Sequence, residues 1–413
     1  MRVLRIVAFT AVVVCVAASL ARADSSDRIY GKLTTVDGDV FEGLIRWDKN
    51  EASWVDFLNG HKERSLDHRG SRRKRYRDRR KTIKILGLKI RTSRPEIFGG
   101  RTTQSGIRFG HITALDVIDD DAVLLTLKTG ETLEMASYSS DIGEGIRELV
   151  IEDRNEGEIE FDWEDVERIE FMQGDPGLKS NFGERLYGTV TSDRGDEFTG
   201  YICWDIDEMF TEDILDGKHK HRKRKIEFGK IEWIERRNSS SAKVMLKKGD
   251  ELVLRGTNDV DDSNRGIVIS DPNLGSIVIE WDDFERVDFK EPPRTIRYED
   301  FDGGHRLEGT VYSADGEAYT GTICWDDDEE YTWELLDGDY HDIEFDVEFT
   351  HIKEIKRKGY SASIVTLWDG RSFRLDDSND VDDDNKGIFI KMKGGDEAEL
   401  EWDEFERVEF VKP

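Results

Sequence analysis

Cysteine is nearly absent from this chain of 413 residues. There are three. Cys15 lies in an N-terminal apolar run, which leaves Cys203 and Cys324, too few for a disulfide framework, so packing alone must hold the protein together. They read either as inert thiols or as a bridge between units. Proline is scarce as well, six in all, and no long Ser/Gly tract occurs, which argues against a disordered chain. The eight histidines share no spacing, and neither a zinc pattern nor a Gly-x-Ser-x-Gly elbow is present. With no catalytic constellation in view, the expectation is a protein that is not an enzyme. Beyond the N-terminus no segment approaches the roughly 20 apolar residues of a transmembrane helix.

Positive charge is in deficit, 61 Lys and Arg against 91 Asp and Glu. So acidic a chain is an improbable binder of nucleic acid as a whole, although local basic patches can act on their own. The N-terminus has Arg2 and Arg5, an apolar run from Ile6 to Leu20, and Ala21-Arg22-Ala23 before Asp24. Those charged, apolar and small-residue regions form a secretory signal peptide, and the expected location is periplasmic or secreted.

The clearest positive feature is internal repetition. Arg28-Ile29-Tyr30-Gly31, Arg185-Leu186-Tyr187-Gly188 and Arg306-Leu307-Glu308-Gly309 open three stretches. Each continues through Gly43, Gly200 or Gly321 to an Ile-x-Trp-Asp phrase ending at Asp48, Asp205 or Asp326, then to Asn59-Gly60, Asp216-Gly217 or Asp337-Gly338. Each closes on a Trp-Asp/Glu-x-x-Glu-Arg phrase beginning at Trp163, Trp281 or Trp402. The first half of the second stretch closes similarly, Ile226 to Ile234, so each unit reads as two related halves. The chain divides into a signal peptide 1–23, repeat one 24–172 with a basic insertion at about 61–98, a linker 173–183, repeat two 184–289, a linker 290–304 and repeat three 305–413.

Within the units, short segments rich in aromatic and β-branched residues alternate in polarity, as Phe198 to Trp204 and Ser276 to Trp281 do. Asp37-Gly38, Gly195-Asp196, Asp315-Gly316 and Asp369-Gly370 supply hairpin turns between them. The predicted fold class is all-β. The run from Gly31 to Gly60 resembles the first motif of Sm-like small barrels, and the closing phrase is similar to the short turn between the last strands of Sm- or SH3-like barrels. The resemblance implies two small barrels per repeat. The family's second motif, which shapes its RNA pocket, has no counterpart, so no RNA-binding residue carries over. The Trp series (Trp47, Trp204, Trp325 and Trp163, Trp281, Trp402) is read as core rather than as a stacking surface.

Two sets of connecting residues could carry chemistry. Arg69, Arg72, Arg73, Lys74, Arg75, Arg77, Arg79, Arg80 and Lys81 crowd the insertion of repeat one, and Lys218, Lys220, Arg222, Lys223, Arg224 and Lys225 occupy the matching place in repeat two. Clustered cations attract a polyanion or an acidic protein, with a strength that falls as salt rises. The same residues also suit a solvated loop that keeps strand edges apart. Repeat three has Asp339, Asp342, Glu344 and Asp346 there, which allows self-association between unlike units. The second set is Asp259, Asp261, Asp262 and Asn264, repeated as Asp380, Asp382, Asp384 and Asn385. Such residues either converge on Ca²⁺ or cap their own turn. Two functions follow: an exported non-enzymatic scaffold presenting loops to an anionic polymer or protein partner, or a calcium-stabilised structural protein of the envelope.

Overall fold

A computed structural model describes residues 25–63, 81–85, 88–92, 102–137 and 139–413. Residues 1–23, read above as a signal peptide, and the basic residues Arg69, Arg72, Arg73, Lys74, Arg75, Arg77, Arg79 and Arg80 lie outside the described residues. Strand accounts for 54% of the structure. The fold is all-β, every pairing between strands is antiparallel, and helix is confined to single 3₁₀ turns among the described residues.

The first stretch contains β1 (Tyr30–Thr35), β2 (Val40–Trp47), β3 (Phe57–Glu63), β4 (Lys81–Ile85), β5 (Leu88–Thr92), β6 (Thr102–Arg108), β7 (Ile112–Asp119), β8 (Ala122–Leu127), β9 (Thr132–Ala136), β10 (Leu149–Asp153), β11 (Gly157–Glu160) and β12 (Val166–Phe171). Ten of these form one sheet in the order β11-β10-β2-β1-β12-β7-β8-β9-β3-β6, while β4 and β5, the first of which starts at Lys81, pair only with each other. The hydrogen-bond pairings recur in the third stretch, where Glu308–Ser313 lies between Ala318–Cys324 and Phe405–Phe410 as β1 lies between β2 and β12. They recur again around Tyr187–Ser192 in the second.

No sheet closes on itself, so the two small barrels expected per repeat are not what forms. The reason lies in one strand. β12 is hydrogen bonded to β1 on one edge and to β7 on the other. A barrel needs its closing strand to return to its own half, and here that strand joins the two halves into a continuous curved sheet. The short turn implied by the small-barrel resemblance is present, as the 3₁₀ turn Trp163–Asp165 between β11 and β12.

Alternation places the tryptophans inside. Trp47, Trp204 and Trp325 are fully buried, and each meets its partner Trp163, Trp281 or Trp402 edge to face, with ring centroids 6.2, 6.3 and 6.3 Å apart. Cys203 and Cys324 are both free and buried. Cys203 faces away from Trp204, into a small cluster with Ala52, Met209 and Phe210 between the first two stretches. Burial raises both thiols well above their ordinary range, which leaves them protonated and inert.

The stretches are welded together. Gly275–Ile279 pairs with Ile343–Glu348, extending the second sheet into the third. At Gly275 a Cβ would stand 1.9 Å from the Asp346 carbonyl oxygen, so only glycine permits that approach. The segment read as a linker, 290–304, packs on the first stretch: Tyr298 lies tilted against Trp54 with ring centroids 4.6 Å apart and donates its hydroxyl hydrogen to the Ile112 carbonyl at 2.8 Å. Buried ion pairs complete the junctions, Arg185 with Asp56 at 2.9 Å and Arg108 with Glu348 at 2.9 Å.

Candidate metal centres and a basic hairpin

The Ile-x-Trp-Asp phrase ends a strand and begins a tight return. The Trp47 N–H donates to the Glu51 carbonyl at 2.8 Å, and the Glu51 N–H donates back to the Trp47 carbonyl at 3.0 Å. Trp204 with Glu208 and Trp325 with Glu329 make the same reciprocal pair. Such a short return needs two left-handed residues, found at Asp48 and Lys49, Asp205 and Ile206, and Asp326 and Asp327, with φ between 43° and 73°. Asp tolerates that region, but a β-branched Ile206 at φ 55° is strained.

The turn folds its Asp and Glu side chains back beneath the sheet. A third carboxylate arrives from the loop after β9 or its counterparts, held by the core: the indole N–H of Trp47, Trp204 or Trp325 donates to the backbone carbonyl of Asp141, Asp259 or Asp380 at 2.9, 2.9 and 3.0 Å. A backbone N–H, from Asn59, Asp216 or Asp337, then donates to Oδ2 of the same aspartate at 2.7, 2.5 and 2.9 Å. The result is three clusters, Asp48/Glu51/Asp141, Asp205/Glu208/Asp259 and Asp326/Glu329/Asp380, each with one oxygen per residue within 4.8 Å of the others.

Within a cluster the three carboxylates are not equivalent. Asp48, Asp205 and Asp326 each receive a backbone N–H and a cationic side chain from one residue, Arg147, Arg265 or Lys386, with contacts of 3.1, 3.0 and 2.8 Å to the charged group. By contrast, Oε2 of Glu51, Glu208 and Glu329 is buried and receives no hydrogen bond. Burial, with Asp141 and Asp48 beside it, pushes the Glu51 carboxyl well above its usual range. Burial, then Asp259 and Asp205, pushes Glu208 up to about 9. Glu329 is raised well above its usual range by burial and then by Asp380 and Asp328. Burial also lifts Asp141 and Asp259 to about 6, against the hydrogen bonds that favour their charged forms.

Of the residues singled out from the Asn/Asp loops, Asp259 and Asp380 enter these clusters. The rest stay in the turn. Asp261 accepts from the Ser263 N–H at 3.1 Å, Asn264 from Gly266 at 3.0 Å, Asp382 from Asp384 at 2.9 Å and Asn385 from Gly387 at 3.0 Å, while the Asp262 N–H donates to Ser239. Asp262 and Asp384 face solvent. In the first stretch Asp141, which no Asn/Asp-rich loop marks, holds the matching position. The partners missed at that level, Asp48, Glu51, Asp205, Glu208, Asp326 and Glu329, carry a signal that could have found them: Trp-Asp-x-x-Glu at one spacing in all three units.

Lys218 lies on the strand Ile214–His219, Arg222, Lys223, Arg224 and Lys225 lie on Arg222–Glu227, and Lys220 sits in the turn between them; the two strands pair with each other, and all six residues are exposed. Lys218 and Lys223 stand directly opposite, as do Gly217 and Arg224. Among the described residues only Lys225 reaches a carboxylate, Asp216 at 3.8 Å.

No known family, curated protein or solved structure matches this chain. Among the described residues no helix is long and apolar enough to cross a membrane.

Proposed function

We propose that the protein is an exported, non-enzymatic scaffold of three repeated β units that presents charged hairpins to an anionic polymer. The observation that carries the reading is the hairpin Ile214–Glu227, which holds exposed cations in facing positions with almost no carboxylates to neutralise them. Like charges directly opposite one another destabilise a two-stranded ribbon, so such a pattern costs stability unless something outside the chain compensates it. A flexible sulfated or phosphorylated polymer does so, releasing counterions as it binds.

The test compares the mature chain, residues 24–413, with a Lys220→Ala/Arg222→Ala/Lys223→Ala/Arg224→Ala variant on immobilised heparin. The variant should elute at clearly lower salt with a melting temperature no lower than the parent's. Identical elution would remove the hairpin from the binding surface.

The second reading, a calcium-stabilised envelope protein, gains its own support from the buried carboxylates.

A further inference from the structure

We propose that each unit holds one divalent cation, with calcium the fitting ion, at Asp48/Glu51/Asp141, Asp205/Glu208/Asp259 and Asp326/Glu329/Asp380. This goes beyond the anionic-partner reading and stands without it.

Acidic groups cluster on many protein surfaces with no ion between them. These clusters differ in being inside, with only Glu208 half-buried. Glu51 is 3% exposed and Glu329 7%, and Oε2 of each is shut away from water with no hydrogen-bond donor. A buried carboxylate oxygen with nothing to accept from is costly, and native structures rarely leave one. A protonated glutamic acid could relieve the repulsion by donating to a neighbouring aspartate. Among the described residues no such hydrogen bond joins the glutamate to either aspartate of its cluster. A cation would satisfy the orphan oxygen directly.

The charge count agrees. Around a bound cation the three carboxylates would carry three negative charges, and Arg147, Arg265 or Lys386 balances one in each cluster. Two remain, which is the charge of one divalent ion. The donor set is oxygen only, with no histidine or cysteine in any cluster, which favours a hard cation over zinc or copper. Two oxygens on opposite sides of a calcium ion bound at about 2.3–2.6 Å stand about 4.6–5.2 Å apart. Oxygens that lie within 4.8 Å of one another can therefore share such an ion, whereas magnesium, at about 2.0–2.1 Å, asks for a tighter octahedron. An entry path exists for the third site, since Glu329 and Asp380 also line a cavity of about 380 Å³ between the first and third stretches.

The test uses the mature chain stripped with a chelator and titrated with calcium chloride by calorimetry, alongside melts with calcium or magnesium. The expected result is saturable uptake approaching three ions per chain and a melting temperature that climbs with calcium by mass action. Glu51→Gln, Glu208→Gln and Glu329→Gln, each made singly, should each remove one ion from the stoichiometry. The triple variant should lose the calcium-induced shift while its metal-free form melts no lower than the stripped parent at pH 8, because each glutamine matches the glutamate in size and carries no charge to bury. That second readout separates lost binding from lost folding. Absence of uptake by the parent at millimolar calcium, or full stoichiometry in the triple variant, would overturn the proposal. An equal response to magnesium would overturn the calcium assignment.

Discussion

Two hairpins of identical backbone register have opposite fates. In Ile214–Glu227 the facing pairs are Asp216 with Lys225, Gly217 with Arg224, Lys218 with Lys223 and His219 with Arg222. In Leu335–Glu348 they are Asp337 with Asp346, Gly338 with Phe345, Asp339 with Glu344 and Tyr340 with Ile343. The first is exposed at its basic positions, although Leu215 and Ile226 root it in the core and the Lys218 N–H donates to the Arg255 carbonyl at 3.0 Å; the second also pairs with Gly275–Ile279 and so joins the second and third stretches. The deciding positions are two residues apart on one face. Where the exposed hairpin has Arg222 and Arg224, the buried one has Ile343 and Phe345, and Phe345 packs against Phe198 of the neighbouring stretch with centroids 5.6 Å apart. Turn geometry sets the register in both, and alternate side chains decide whether the ribbon docks.

The most disruptive way to break this comparison is at its apolar centre. Phe345→Ala should cost about 3–5 kcal/mol, the usual range for emptying an aromatic site in a packed core, and should loosen the second stretch as well as the third. Arg224→Ala, the matching change in the exposed hairpin, should stay within about 0.5 kcal/mol of the parent. Chemical denaturation of the two variants checks both, and comparable losses would show that the Arg224 position bears on the core as Phe345 does.

The end of each hairpin sharpens the contrast. Glu348 lies at the end of the buried hairpin, between Arg108 at 2.9 Å, His111 at 3.0 Å and His351 at 3.3 Å. Burial opposes its ionisation, yet Arg108 and the two histidines hold its carboxyl well below the ordinary range. Among the described residues, its counterpart Glu227 pairs only with Lys230, at the surface, at 2.7 Å. Glu348→Gln strands the Arg108 guanidinium and should cost about 3–5 kcal/mol, whereas Glu227→Gln should cost about 0–1 kcal/mol. The pH sign follows from the depressed value: Glu348 stabilises the fold above the unfolded glutamate value, near 4.3, and that contribution fades as pH falls below it. Urea unfolding at pH 7 and pH 3 should show the gap between Glu348→Gln and parent narrowing in acid.

Much of this was legible in the chain. Period-two alternation and Asp-Gly turns specify an all-β fold, and the recurrent tryptophans specify its core. The continuous sheets were not legible, because nothing in Val166 to Phe171 announces that the strand bonds a neighbour on both edges; its alternation reads the same with one partner or two. The cation clusters were half visible. Asp259 and Asp380 stood out in an Asn/Asp-rich loop, but convergence depends on Trp204 and Trp325 reaching across the core to fix those loops, a contact spanning 55 residues. Glu208 and Glu329 were hidden by abundance, since a lone glutamate in so acidic a chain carries no signal until its surroundings are known. The opposite charges of the two hairpins were plain, whereas their opposite burial depended on two apolar residues set among the acids.

A smaller effect tests what the buried hairpin tolerates in exchange for docking. Asp337 and Asp346 face each other across its strands, a like-charge pair that should weaken any ribbon. Burial, with Glu344 nearby, pushes Asp346 up to about 7, and burial with Asp346 and Glu344 beside it raises Asp337 well above its usual range. A carboxyl whose folded value is raised binds its proton more tightly when folded. Its contribution is therefore complete below the unfolded aspartate value, near 3.9, and is lost as pH climbs through 7. In chelator, so that no ion masks the effect, the parent should lose stability between pH 5 and pH 8. Asp346→Asn, which keeps a hydrogen-bonding amide opposite Asp337 while removing one charge, should flatten that decline. In the exposed hairpin the same two positions hold Asp216 and Lys225, opposite in sign, so Lys225→Gln should leave the slope unchanged. If Asp346→Asn and Lys225→Gln both kept the parental slope, the decline would belong to carboxyls outside the hairpin, with the raised glutamates of the three clusters as its source.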